Sequence, residues 1–460
     1  MHNLLRLNQP IILIYLNRLL ILLIVFSVSF ASPVKSRDNT SGIFRDTEVE
    51  NIIKFYADPI FKAAGLSEKE IKIYLVKDNS LNAFVTSNKS LFITSGLLTR
   101  SQSLNEIIGV IAHETGHIAG GHLTSVKAEL NNAEFKYLLA TALGALVGVA
   151  SKDVKAANMI IQGGKALAIT EFLRYSRSQE SSADTAAIKY LEKTKQSARG
   201  YANFFRQLRY DRSLQGELEH SYLSTHPLNS ERLSFIEHHL TQSTYTNIQP
   251  PEKQIRDHKI IQAKLNGLFL SKRKVFEKYP EHDQSTHSLY ARALSNYLSG
   301  DMSDSIPLID RLIKKNKKYP YFYQLKGLIL FKDGHPEDSL PFFEKSIELA
   351  PKESLLRINL VQAQIESRND KYLEPAKTHL NVATRLDYNS LETWRLLTIV
   401  SGRLGKMGDM HLAQSELSLL KRKYQAAKQF SIRAMKKLPA GSPGWLRAKD
   451  ILEKTTLSID

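Results

Sequence analysis

The chain has 460 residues, enough for two or three domains that each have their own core. It contains no cysteine, which excludes disulfide bonds and Cys-ligated zinc and leaves histidines and carboxylates as the strong zinc ligands. With 63 Lys and Arg against 46 Asp and Glu, the formal net charge is +17. No nucleic-acid-binding motif accompanies this charge, so we expect a diffusely basic surface and no nucleic-acid partner.

Residues 1–31 have the pattern of a secretory signal peptide. Arg6 and Arg18 supply positive charge, residues 19–30 form an apolar run, and Ser29-Phe30-Ala31 resembles a cleavage site. The apolar run is too short to span a bilayer as a mature helix. We therefore predict cleavage rather than an uncleaved anchor, and a mature chain that begins near Ser32.

The next segments predict a helix and a small antiparallel sheet. Residues 45–65 have apolar side chains at helical spacing. Residues 71–76, 82–86 and 90–94 alternate as strands do, with a turn at 87–89. We expect the last strand, Leu91 to Thr94, to offer an edge to which an extended peptide can add.

An H-E-x-x-H motif follows, at His113-Glu114-Thr115-Gly116-His117. Positions i and i+4 of an α-helix lie on one face, so His113 and His117 can bind one ion. Glu114 projects from the neighbouring stripe, where a carboxylate can take a proton from a water molecule. The apolar residues before the motif predict a buried helix. A catalytic zinc site also needs a third protein ligand.

The third ligand has two candidates in the sequence. His122 lies about 140° round a continuous helix from His117, so we expect it to point away from the ion. Leu123 stands where a metzincin has its third histidine, which excludes that class. An E-x-x-A-D sequence puts Glu180 and Asp184 on one helical face. Alone it is typical of a solvated helix; after H-E-x-x-H it predicts Glu180 as ligand and Asp184 as acceptor for a ligand histidine's second N–H.

A further histidine lies in Thr225-His226-Pro227, where Pro227 is expected to open a helix. A histidine at a helix start is usually a surface or capping residue. Beside a metal, His226 has two other roles: it can donate to the oxyanion of the reaction, or it can fill the fourth coordination position and close the resting site. We favour the second role.

The apolar stretch 138–150 is rich in small side chains. Thirteen residues do not span a bilayer, so we expect a helix packed on its neighbours; contact with a membrane surface is the alternative.

Residues 241–255 predict a linker with few contacts across it, between a domain at 32–240 and a helical domain at 256–460. Within the second domain, Gly300 and Gly334 are 34 residues apart, the period of tetratricopeptide repeats. A third unit fits if about three extra residues are allowed. Such repeats stack into a solenoid with a concave binding surface; an irregular helical bundle is the alternative.

These motifs together resemble the zinc metallopeptidase family that includes the CAAX prenyl protease. The resemblance covers roughly residues 44–240 and rests on Asn82-Ala83-Phe84, H-E-x-x-H, E-x-x-A-D and the segment from Thr225 to Arg232. It implies an α+β, mostly α, gluzincin fold and one zinc per chain. The zinc ligands it implies are His113, His117 and Glu180, with Glu114 as base and Asp184, His226 and Arg232 beside the metal.

With a signal peptide in front and repeats behind, the chain is similar to bacterial periplasmic members of that family. The resemblance implies an endopeptidase that acts on unfolded or misassembled outer-membrane proteins, with the repeats bound to substrate or to the assembly machinery. Peripheral contact with a membrane is compatible with this. The alternative is a chaperone or scaffold whose zinc site is structural or normally closed, because the same residues would be present in either case.

Overall fold

The computed structural model describes residues 42–67, 70–86, 88–122, 177–214, 222, 226 and 230–457. The predicted signal peptide and the apolar stretch 138–150 lie outside these residues. A small sheet with helices packed on it is followed by a long series of helices, so the predicted α+β, mostly α, fold is confirmed. None of the helices in these ranges is both long enough and apolar enough to cross a membrane.

Four strands form the sheet: β1 (Gly42–Phe44), β2 (Lys72–Lys77), β3 (Ala83–Thr86) and β4 (Ser90–Thr94). Their order across the sheet is β1-β2-β4-β3. β3 and β4 form an antiparallel hairpin and β1 is antiparallel to β2, whereas β2 and β4 are parallel. The sheet is therefore mixed, whereas the sequence predicted an antiparallel one. Alternation of side chains identifies a strand but does not specify which strands lie beside it or in which direction they run.

The edge strands differ from the prediction. β4 is hydrogen-bonded on both sides, and all five of its residues are buried. The expectation that Leu91 to Thr94 offers a free edge is therefore wrong. The two edge strands are β1 and β3. β1 is only three residues long, too short for an alternation of side chains to be recognised in the sequence.

Three helices pack with the sheet into the first core: α1 (Thr47–Ala63), α2 (Ser95–Arg100) and α3 (Leu104–Ala119). Asp46 caps α1 by accepting the backbone N–H of Val49. Ile107, Val110 and Ile111 of α3 are at most 1% exposed and pack in the same core as the inward-facing side chains of β2, β3 and β4. The H-E-x-x-H helix is thus the central helix of this part.

Among the described residues, this part has four more helices: α4 (Arg177–Lys193), α5 (Arg199–Leu214), α6 (Ser230–Gln242) and α7 (Glu252–Phe269). α7 begins inside the predicted linker and packs on α1, α2 and α3. Its Ile261 and Leu265 are fully buried in the core that contains Ile107. The expectation of few contacts across residues 241–255 therefore differs from the structure.

A buried polar cluster joins α1 to the helices that follow. Lys264 Nζ lies 2.8 Å from Asp46 Oδ2 and 2.8 Å from Glu48 Oε2. The hydroxyl of Tyr290 donates to Glu48 Oε2 at 2.7 Å, and the hydroxyl of Tyr319 donates to Glu48 Oε1. Glu48 itself is 0% exposed. We call these five residues the junction cluster.

The remaining described helices follow one another along the chain, and those from α9 onward form successive pairs. They are α8 (Lys272–Lys278), α9 (Thr286–Ser299), α10 (Met302–Lys315), α11 (Pro320–Lys332), α12 (Pro336–Leu349), α13 (Ser354–Glu366), α14 (Leu373–Leu386), α15 (Leu391–Arg403), α16 (Met407–Leu420), α17 (Tyr424–Met435) and α18 (Pro443–Leu457). Each helix from α9 onward packs on the next, as in a solenoid. A short 3₁₀ helix, Asp370–Tyr372, occupies the extra residues of the third unit. The predicted repeat of helical pairs is confirmed.

Candidate metal centre

The two histidines of the motif face one point at the end of α3. His113 and His117 are both 0% exposed, and their Nε2 atoms lie 3.1 Å apart. The buried apolar residues that precede them fix this end of the helix in the core. The spacing of one helical turn thus brings two imidazole nitrogens within reach of one ion.

α4 crosses α3 so that Glu180 faces the same point. Glu180 Oε1 lies 3.3 Å from His117 Nε2, and Glu180 Oε2 lies 3.4 Å from His113 Nε2. Gly116 permits this crossing, because a Cβ at that position would lie 2.9 Å from the carbonyl oxygen of Ala183. Gly116 in H-E-x-x-H and Ala183 in E-x-x-A-D therefore let α3 and α4 approach closely enough for both helices to contribute ligands to one site.

His226 lies among these three side chains. Its Nδ1 is 3.0 Å from Glu180 Oε1 and 3.4 Å from His113 Nε2, and the residue is 0% exposed. One ligand atom from each of His113, His117, Glu180 and His226 lies within 4.8 Å of the others. The structure thus places His226 in the group rather than at its edge.

The distances within this group fit a tetrahedral zinc site. Two atoms that each bind a tetrahedral ion at ~2.0–2.1 Å lie about 3.3 Å from one another. Neighbouring atoms of the four side chains are separated by 3.0 to 3.4 Å. Three imidazoles and one carboxylate, all nearly excluded from solvent, are also the ligand types that zinc prefers in a protein without cysteine.

Asp184 and Arg232 hold the ligands in position. Asp184 Oδ1 lies 2.9 Å from His113 Nδ1, and a carboxylate at that position favours the tautomer in which His113 Nε2 keeps its lone pair towards the centre. Arg232 Nε donates to Asp184 Oδ2 at 2.7 Å, and Arg232 Nη1 lies 2.6 Å from Glu180 Oε2. Burial alone would raise the pKa of Asp184, but His113 and Arg232 hold it below its usual range.

Two tyrosines near the centre were not predicted from the sequence. The hydroxyl of Tyr201 donates to Asp184 Oδ1 at 2.6 Å, and Tyr201 is fully buried. The ring of Tyr222 stacks on that of His226, with centroids 4.4 Å apart. No signal in the sequence marks Tyr201, since an aromatic residue in an amphipathic stretch usually packs in the core.

His122 lies closer to the centre than expected. The left-handed backbone of Gly121, with φ of 65°, turns the chain where a continuous helix would have carried His122 away. His122 Nδ1 consequently lies 2.9 Å from His117 Nδ1. His122 contacts a member of the four-residue group and is not itself a member.

Glu114 is fully buried beside the four-residue group. Neither of its oxygens accepts a hydrogen bond from any residue that the structure describes, and His226 Nε2 lies 3.4 Å from Glu114 Oε1. Burial raises the pKa of Glu114 to about 8. Burial therefore makes Glu114 hold a proton more firmly than an exposed glutamate does.

Residues 44–240 match the model of peptidase family M48. M48 metalloproteases depend on a metal, and the His-His-Glu-His group described above is the candidate for it here. The chain is therefore a metalloprotease.

Three relatives show how far the similarity extends beyond residues 44–240. A Vibrio cholerae protein of the beta-barrel assembly-enhancing protease type is 23% identical over 415 residues, 88% of this chain and 83% of the relative. The Yersinia pestis beta-barrel assembly-enhancing protease is 21% identical over 310 residues, 64% of this chain and 61% of the relative. The Escherichia coli metalloprotease YcaL is 33% identical over 165 residues, 36% of this chain and 59% of the relative.

Proposed function

We propose that the chain is a zinc-dependent endopeptidase of the periplasm. Its substrates would be misfolded or stalled outer-membrane proteins, and its helical repeats would dock substrate or a larger assembly machinery. The observation that carries the chemistry is the buried group of His113, His117, Glu180 and His226 with Glu114 beside it. The similarity to a beta-barrel assembly-enhancing protease along 88% of the chain supports the choice of substrate.

In peptide hydrolysis, the side chains around the centre have different roles. Zinc, when bound, supplies an activated water molecule and polarises the scissile carbonyl. Glu114 accepts the proton of the attacking water and delivers it to the leaving amine. Asp184 keeps the Nδ1 hydrogen of His113 in place, and Arg232 keeps Asp184 and Glu180 ionised. Burial of all these groups strengthens their electrostatic interactions.

The edge strand β3 is suited to bind the substrate. β3 packs on α3, the helix of the H-E-x-x-H motif, and buries Ala83 and Val85 against the core. Its outer edge is not paired with another strand of the sheet. An extended peptide that adds there would bind through main-chain hydrogen bonds, with little dependence on its sequence. That mode suits an enzyme whose substrates share only an unfolded state.

Glu180→Ala tests the metal assignment. We expect wild-type protein to contain one zinc per chain and Glu180→Ala to contain much less, because the variant has lost the only carboxylate of the four-residue group. Metal analysis of dialysed protein, with casein hydrolysis in parallel, measures both effects. Glu192→Ala, at the other end of α4, is the matched control and should keep its zinc. Full zinc in Glu180→Ala would contradict the proposed ligand set.

His226→Ala separates the two roles considered for this histidine. Because His226 Nδ1 lies at ligand spacing from Glu180 and His113, we expect it to close the resting site. Its removal should then increase casein hydrolysis while zinc is retained. A ~10²–10³-fold decrease would instead identify His226 as an oxyanion donor. Unchanged hydrolysis would exclude both roles, and no hydrolysis by wild type or variant would favour the chaperone or scaffold alternative.

Tyr201→Phe tests whether the tyrosine positions the ligands. Loss of its hydroxyl leaves Asp184 with fewer donors and a less fixed His113, so we expect zinc to bind ~10–100-fold more weakly. Competition with a chromophoric chelator measures this without reference to activity. Tyr290→Phe is the matched control, because Tyr290 also donates to a buried carboxylate, that of Glu48, but in the junction cluster. Equal zinc affinity in both variants would rule out a positioning role.

A further inference from the structure

The positive charge of this chain is concentrated near its C-terminus. Residues 417–449 contain nine Lys and Arg and no Asp or Glu, whereas the whole chain has a net charge of +17. More than half of the net charge therefore lies in about one-fourteenth of the sequence. This segment corresponds to the end of α16, all of α17 and the first half of α18. The even distribution expected from composition does not describe the molecule.

Most of these cations are exposed and have no acidic partner. Seven of them are exposed, and Lys449 alone among these seven lies within 4 Å of a carboxylate, that of Glu453. The other six are Lys421, Arg422, Lys423, Arg433, Lys436 and Lys437. None of the six forms an ion pair with any residue that the structure describes. The guanidinium carbon of Arg433 lies 5.6 Å from the centroid of the Phe430 ring. We call these six residues the basic face.

Two cations shortly before this segment do have acidic partners. Arg403 Nη2 lies 2.9 Å from Asp370 Oδ1, and Lys406 Nζ lies 2.6 Å from Glu374 Oε1. In these pairs the cations of one unit neutralise the acids of the previous one. The basic face has no such function within the solenoid, and six uncompensated charges on one unit repel each other. Their arrangement therefore favours an external anionic partner.

The basic face also has an apolar component. Ala427, Ser431 and Ala434 bury one side of α17, and the opposite side carries Ile432 and Lys436, one helical turn apart. Ile432 is 37% exposed. On the next helix, α18, Leu446 is 48% exposed. Cations interspersed with exposed aliphatic side chains fit a surface that has charge outside and hydrocarbon beneath.

We propose that the basic face docks the protein on a membrane surface that contains anionic phospholipid. Phosphate headgroups would pair with the six cations, and Ile432 would enter the boundary between headgroups and acyl chains. A purely acidic protein partner would not account for the exposed aliphatic residues among the cations. The proposal is independent of the catalytic centre, since no residue of the basic face contacts that centre.

Vesicle flotation with the full-length chain tests the proposal. We expect wild type to bind vesicles of phosphatidylcholine with phosphatidylglycerol, to ignore vesicles of phosphatidylcholine alone, and to dissociate as salt is raised. The triple variant Arg433→Glu, Lys436→Glu, Lys437→Glu should bind at least ~10²-fold more weakly. The matched control reverses three other exposed cations that have no acidic partner among the described residues, Lys314, Lys317 and Lys318, and should bind as wild type does.

Each other outcome overturns the proposal. If wild type does not bind the anionic vesicles, the face does not recognise lipid. If the control loses as much binding as the triple variant, net charge rather than the basic face is responsible. If soluble polyglutamate binds wild type while the vesicles do not, the face belongs to an acidic protein. Unchanged casein hydrolysis by both triple variants verifies that they are folded.

Discussion

Replacement of Glu114 by Gln is expected to lower the rate of peptide hydrolysis by ~10²–10⁴-fold while the fold and the metal content stay unchanged. Gln has the shape of Glu but cannot accept a proton from water. Glu114 is fully buried and its oxygens accept no hydrogen bond within the described ranges, so the substitution breaks no structural contact there. The loss should therefore appear in kcat rather than in zinc affinity or stability.

Casein hydrolysis and zinc analysis on the same preparations measure this separation. Glu106→Gln is the matched control, because Glu106 is also buried on α3 but accepts only the backbone N–H of Gln102, two turns before the metal ligands. It should hydrolyse casein at close to the wild-type rate. Wild-type hydrolysis by Glu114→Gln would place the activity in another group or in a contaminating protease.

Local spacing was sufficient to predict which side chains share a face within each of the two helices. One helical turn separates His113 from His117, and another separates Glu180 from Asp184. A regular helix fixes the relative position of such pairs, so the sequence determines them directly. The crossing of the two helices was not predicted, because only the structure shows that Gly116 faces Ala183.

Parts of the centre that depend on irregular backbone or distant chain segments could not be predicted. His122 approaches His117 because Gly121 adopts a left-handed conformation, and glycine permits that conformation without requiring it. Tyr201 reaches Asp184 from a different helix, through a contact that no spacing rule describes.

The position of β4 inside the sheet could not be predicted either. It depends on pairing with β2, which alternation of side chains does not reveal.

The boundary between the two parts of the chain shows the same limitation. Polar residues and two prolines at 250–251 favoured a linker, yet the following helix, α7, contributes Ile261 and Leu265 to the first core. The composition of a segment indicates whether that segment is solvated, but it does not predict how the helix after it packs. We now expect a chain that ends near Ile248 to expose this core and to lose Lys264 from the junction cluster, so it should not fold as a stable unit.

Lys264→Met is expected to destabilise the whole protein by about 3–5 kcal/mol. Lys264 is 8% exposed and is the only cation within 4 Å of Glu48 among the described residues. Met retains most of the aliphatic stem but leaves Asp46 and Glu48 as neighbouring anions without a counter-charge. Burial of the Glu48 carboxylate makes that arrangement unfavourable. Urea unfolding followed by circular dichroism measures the change.

Lys253→Met on the same helix is the matched control. Lys253 pairs with Asp257, but its side chain is 57% exposed, and such surface pairs contribute less than about 1 kcal/mol. A large loss of stability in Lys264→Met and a small one in Lys253→Met would mean that the junction cluster joins the N-terminal part to the repeats as one cooperative unit. Equal, small losses would mean that the two parts unfold independently, and then a domain boundary near residue 248 would be the better description.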